Sequence, residues 1–211
     1  MTGTEILNTI HVIYEQDVTY PDITSEDYLI RLTYLNQAIY TWENEIYSGT
    51  LWPELFITSI LPFSTTTISD FIFPEKLYVG SDEYQYVLPY QAIEKINSNS
   101  PDKFYYVTGG ANNKVINIYP ALTTGNYTLS YYKQPTVFTS LNVGNHIEMT
   151  NPNFAIQYVL SQLYASDGDQ ALSNSSMQMA LKYLDQMKIG ADTMPYGSES
   201  VIQDDTVGFG L

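Results

Sequence analysis

The stretch that most constrains this chain is Ser25–Ser48, SEDYLIRLTYLNQAIYTWENEIYS. Apolar side chains recur at Tyr28, Leu32, Leu35, Ile39, Trp42 and Ile46, stepping by four and three residues in turn. That spacing draws one narrow seam down a helix, the pattern of a helix packed against other helices. Thr24 stands three residues before Asp27, an acidic version of the capping box, and Gly49 offers a left-handed stop. At about 1.5 Å per residue the helix is about 36 Å long. Polar residues interleave too closely for a membrane span, so the six seam residues are the expected core of a helical bundle.

Further helices are expected at both chain ends. Thr4–Gln16 carries Ile6, Ile10, Ile13 and Tyr14 on one face with Thr4 as cap, and Tyr20-Pro21-Asp22 then breaks the chain. Asn151-Pro152 reads as an N-cap with proline at the first helical position. Phe154, Ile156, Val159, Leu160 and Leu163 continue that helix to about Ala165, and Asp167-Gly168-Asp169 ends it. A last helix spans Gln170 to Ile189, with Leu172, Met179, Tyr183, Leu184 and Met187 expected inward and Gly190 as the stop.

Between these helices the texture changes to Pro, Thr, Ser and Tyr. Leu51–Pro62 holds a short apolar segment, Ser64–Ser69 reads as a polar loop, and Ala92–Ile96 as a helical turn. Gly80-Ser81 predicts a hairpin between Lys76–Val79 and Glu83–Leu88. Lys103–Thr108 and Lys114–Tyr119 flank the turn at Gly109-Gly110, and Tyr127–Lys133 follows with strict alternation. The expectation is a three-stranded meander inside a larger, mainly antiparallel β subdomain. The fold class is therefore α+β, with a helical bundle from 1–50 and 148–190, an inserted β subdomain at 51–147 and an extended arm at 191–211. The arm has too few apolar residues for a core of its own. Met194, Pro195, Tyr196, Val201, Ile202, Val207, Phe209 and Leu211 are its candidate anchors on another chain.

Charge narrows the function. The 211 residues carry 23 acids against 8 bases, net −15, and Arg31 is the only arginine. Such a surface repels nucleic acid and lacks the cations needed to displace its counterions. Arg31 is expected to find a carboxylate, inside the subunit or across an interface between subunits. The 20 tyrosines suit surfaces that are wet in one state and buried in another, beside those a β-sheet uses. Cysteine is absent, which removes disulfides and thiolate metal sites. The start, MTGTEILNTI, shows neither the basic nor the apolar part of a signal peptide.

Chemistry finds little to work with. The two histidines, His11 and His146, read as surface or capping residues, and no G-x-S-x-G motif occurs. Glu75, Asp82, Glu83 and Glu94 leave a glycosidase-like pair open. Asp167-Gly168-Asp169 lacks the further spaced oxygens of a calcium loop and reads as a helix break. No catalytic residue, cofactor or metal site is expected.

Three stretches, in order, carry a family likeness. Ser25–Ala38 has an acidic start, paired apolar residues and Leu35-Asn36-Gln37-Ala38. Phe104-Tyr105-Tyr106 leads through Ile118-Tyr119-Pro120-Ala121 to Tyr131-Tyr132-Lys133-Gln134-Pro135. Asn153–Met187 includes Tyr158-Val159-Leu160, Leu163-Tyr164-Ala165, Asp167, Asp169 and Ala180. Together they resemble the head-to-tail adaptor (connector) ring proteins of tailed bacteriophages, of the short-tailed type, although those often hold more arginine in the long helix. The resemblance implies a structural virion protein and no enzyme. It implies a ring, commonly dodecameric, seated at the head–tail junction between the portal and a tail or nozzle protein. The ring would line the DNA exit channel without binding DNA specifically and without touching a membrane. The same resemblance makes the arm a portal-docking segment and places synthesis in the host cytoplasm. A virion β module that binds carbohydrate or a host surface through Tyr and Trp is the alternative.

Overall fold

The computed structural model describes residues 1–110, 113–122 and 124–193. Helix α1 covers Gly3–Glu15 and starts one residue earlier than Thr4 suggests, because Thr2 is the cap. Thr2 Oγ1 accepts from the Glu5 N–H at 3.1 Å, and Glu5 Oε2 accepts from the Thr2 N–H at 2.8 Å. That reciprocal pair, led by the Thr2 backbone donor, holds the Glu5 carboxyl below the usual carboxylate range. Helix α2 covers Glu26–Asn44; its cap is Ser25, not Thr24, with Ser25 Oγ accepting from the Tyr28 N–H at 3.2 Å. A 3-10 turn at Glu45–Ser48 finishes the helix, and Gly49 takes φ 100°, the left-handed geometry expected of a stop.

The middle of the chain builds one seven-stranded mixed sheet. Its strands are β1 Phe56–Pro62, β2 Thr67–Ile68, β3 Phe71–Val79, β4 Asp82–Tyr86, β5 Phe104–Gly110, β6 Asn113–Tyr119 and β7 Asn126–Lys133. Helix α3, Pro89–Asn97, joins β4 to β5, which pair in parallel; the remaining pairings are antiparallel. The β3–β4 and β5–β6 hairpins match expectation. The meander does not form: β7 lies between β1 and β3, and the second neighbour of β6 is β2. Nor is Ser64–Ser69 only a loop, since it contains β2.

The sheet is curled, and its connectivity shows why. Strands β1 and β2 occupy its opposite edges yet are joined only by residues 63–66. A link that short spans at most about 18 Å. A flat seven-stranded sheet would set its edges about 29 Å apart. The link also bonds inward, with Tyr127 Oη donating to the Thr65 carbonyl at 2.7 Å and the Ile116 N–H to that of Thr66 at 2.8 Å. Inside the curl, Ile68, Leu77, Tyr84, Tyr105, Ile116, Tyr127 and Leu129 form one buried cluster.

Helices α4, Asn153–Ser166, and α5, Gln170–Thr193, return at the end. Pro152 sits at the cap of α4 without a side-chain bond, while Asn151 Oδ1 accepts from the Asn153 N–H at 3.1 Å. Helix α4 packs against α1, α2 and α5. One buried cluster draws on all four of these helices and takes in Tyr132 from the sheet. Two expectations for α5 fail. The helix runs through Gly190 to Thr193, and Leu172 and Met179 point outward while Ser173, Ser176 and Ala180 face the cluster.

Candidate functional site

The seam of α2 lies within the helical cluster. Tyr28, Leu32, Leu35, Ile39, Trp42 and Ile46 are all buried, joined there by Ala38. Trp42 is 1% exposed and meets Trp52 at 5.4 Å between ring centroids. Trp52 Nε1–H donates to the Trp42 carbonyl at 2.9 Å, which pins the chain as it leaves α2 for the sheet. With both tryptophans buried, neither presents a face to a sugar from solvent.

The most organised polar site surrounds Arg31, which is 3% exposed. Its carboxylate lies in the same chain: Nη2–H donates to Glu15 Oε1 at 2.6 Å. Nη1–H faces His11 Nδ1 at 2.5 Å, and the guanidinium lies 5.7 Å from the Tyr14 ring centroid. A guanidinium only donates, so His11 Nδ1 is the acceptor and the ring proton sits on Nε2. From there it donates to the Thr19 carbonyl at 2.9 Å and fastens the α1–α2 loop. Tyr14 Oη donates to Asp167 in the α4–α5 turn. Burial, reinforced by that carboxylate, raises the Tyr14 phenol above its ordinary value. Arg31 thus ties α1, α2, their loop and the α4–α5 turn together. A cleft of about 270 Å³ beside it is lined by Asp27, Ile30 and Leu163 among others.

His11 is buried here rather than at the surface, and both ring nitrogens are engaged, so it offers no free base. A sequence clue existed: His11 and Glu15 share a helix face four residues apart, both within reach of the lone arginine. Asp167 is taken by Tyr14, and Asp169 Oδ1 accepts from the Leu172 N–H at 3.0 Å, capping α5. Among the described residues no group of His, Asp or Glu is placed to hold a metal ion. Glu75, Asp82, Glu83 and Glu94 are exposed, with Asp82 paired to Lys103 at 2.7 Å.

The candidate anchors Met194, Tyr196, Val201, Ile202, Val207, Phe209 and Leu211 lie outside the described residues. Helix α5 ends beside a cleft of about 210 Å³ lined by Pro53, Glu54, Gln186 and Ala191. Burial pushes the Glu54 carboxyl up, and its Oε2 has no partner among the described residues. No helix among the described residues is long and apolar enough to cross a membrane.

No curated protein matches the chain. The family model described as SU10 adaptor protein matches residues 1–201, a span that takes in the helical cluster, the curled sheet and the Arg31 site. The chain therefore belongs to the SU10 adaptor protein family and is a structural adaptor protein of a bacteriophage head–tail junction.

Proposed function

We propose that copies of this chain assemble into a ring, dodecameric as in the short-tailed phages, between the portal and a tail or nozzle protein. In this reading 1–50 and 148–190 act as one helical bundle, 51–147 as an inserted β subdomain, and 191–211 as the arm that docks on the portal. The ring lines the DNA exit channel. The family match over residues 1–201 carries the reading. Charge fits it too: net −15 gives a wall that repels passing DNA instead of holding it. Five of the eight cations are already engaged in ion pairs within the chain, at Arg31, Lys95, Lys103, Lys133 and Lys188.

The test is the mass of the protein in solution, with and without portal. Ring-sized complexes on the portal are expected. Deleting 191–211 should weaken that docking while leaving the melting temperature nearly unchanged. A protein that stays monomeric with portal present, or that binds duplex DNA tightly and salt-sensitively, overturns the reading.

A further inference from the structure

Helix α5 buries Leu184 and Met187 but leaves other apolar side chains outside. Ser173, Ser176 and Ala180 face the core, while Leu172, Met179, Leu181 and Ile189 are exposed. From Gln170 to Leu184 the helix holds no acid, in a chain with 23 of them. Its one charge there, Lys182, has no ion-pair partner among the described residues. A second apolar face lies on α1. Met1, Val12, Ile13 and Tyr20 are exposed around an open cleft of about 580 Å³, with Val18 and Ile23 exposed on the adjoining loop. Glu5 lines the cleft, and Asp17 and Asp22 are exposed on the adjoining loop.

The two faces lie on different helices and differ in charge. Helix α4 packs against both α1 and α5, and no comparable packing joins α1 to α5 among the described residues. Copies with net charge −15 repel one another. Two acidic faces brought together would add like-charge repulsion. Laying the acid-free stretch 170–184, with Lys182, on the apolar cleft beside Glu5 lessens it. A contact between two different faces of the same chain propagates from copy to copy, and closes into a ring when the rotation permits.

We propose that the α1 cleft receives the Leu172–Met179 side of α5 from a second copy, with Leu172 and Met179 against Ile13 and Val12, and Lys182 over Glu5. This inference rests on the ring reading and assigns its subunit contact. Because the chain has no cysteine, Ile13→Cys and Met179→Cys can be introduced alone and together without background. Portal-bound assemblies of the full chain are treated with a short bismaleimide, and their mass is measured in parallel.

The double variant is expected to give a ladder extending beyond dimers, and each single variant none. The ladder should be lost when Leu172→Asp is added. Dimers from either single variant would mean that a face pairs with itself and would overturn the proposal. So would a ring-sized mass without crosslinks, which leaves the ring standing and this contact wrong. A monomeric mass with portal present overturns both.

Discussion

The Asn36 side chain and the Phe138 backbone exchange two hydrogen bonds: Nδ2–H to the Phe138 carbonyl and the Phe138 N–H to Oδ1, each 2.8 Å. The amide imitates a peptide group of a neighbouring strand and fixes the segment after β7 onto α2. Phe138 is itself buried, so neither backbone group can turn to water. Asn36→Ala leaves both unpaired and should cost about 2–4 kcal/mol in urea unfolding. Asn36→Asp keeps the acceptor and loses the donor, so it should fall between that variant and the wild type at neutral pH.

Removing the Arg31 guanidinium strands the buried His11 Nδ1, while Glu15, with its side chain 41% exposed, is resolvated. Screening at Glu15 discounts the ion pair, so Arg31→Met should destabilise by about 1–3 kcal/mol, less than a fully buried pair would. Arg31→Lys should restore little of it, since one ammonium cannot reproduce the fork that meets His11 and Glu15 together. Hydrogen exchange should report the same loss locally. Amides around Thr19 should exchange faster in both variants, ahead of those in α4.

Burial raises the Glu43 carboxyl above its ordinary value of 4.5, and no opposing partner is found among the described residues. A folded-state value above the unfolded one gives stability that is complete below about 4.5 and is lost as pH rises through the folded value. Near neutrality the buried charge is therefore a cost. Glu43→Gln should raise the melting temperature at neutral pH, and the gap should shrink as pH falls toward the unfolded value. A gap that stays constant with pH would show that ionisation of Glu43 is not its source.

The two tryptophans should respond differently to phenylalanine. Trp42 Nε1 has no partner among the described residues, whereas Trp52 Nε1–H bonds the Trp42 carbonyl. Trp52→Phe should cost about 1 kcal/mol more than Trp42→Phe in denaturant unfolding, the worth of that hydrogen bond. Trp42→Ala removes a full core side chain and should cost about 3–5 kcal/mol.

How legible each element was depends on the range of the forces that fix it. The α2 seam was readable because burial there repeats with the helix period, and Gly80 marked the β3–β4 hairpin because its turn is local. Strand β7 carried its alternation plainly, but its neighbours were not readable. Its partners are β1 and β3, which lie far back in the chain. Strand β2 is two residues long and owes its place to β6. On α5 the rule that large apolar residues point inward held for Leu184 and Met187 but not for Leu172 and Met179, where Ser173, Ser176 and Ala180 take the inward positions. The helix also passes Gly190, where a glycine costs about 1 kcal/mol relative to alanine, and Ala191 is buried just beyond it. At the Arg31 site the arginine stood out by its rarity. His11 did not, because a single histidine carries no periodic signal.

The link at residues 63–66 bears on the order in which this chain can fold. The first strand made waits for the last, since among the described residues β1 pairs with β7 alone, and β2 waits for β6. During synthesis both early strands stand with unpaired edges until residues 113–133 have emerged, and each pairing then closes a long loop. The β3–β4 and β5–β6 hairpins, being local, are free to form meanwhile. Slow sheet closure, with two hairpins already in place, is the kinetic signature this topology imposes. Until it is complete, the nascent adaptor exposes the strand edges through which chains aggregate.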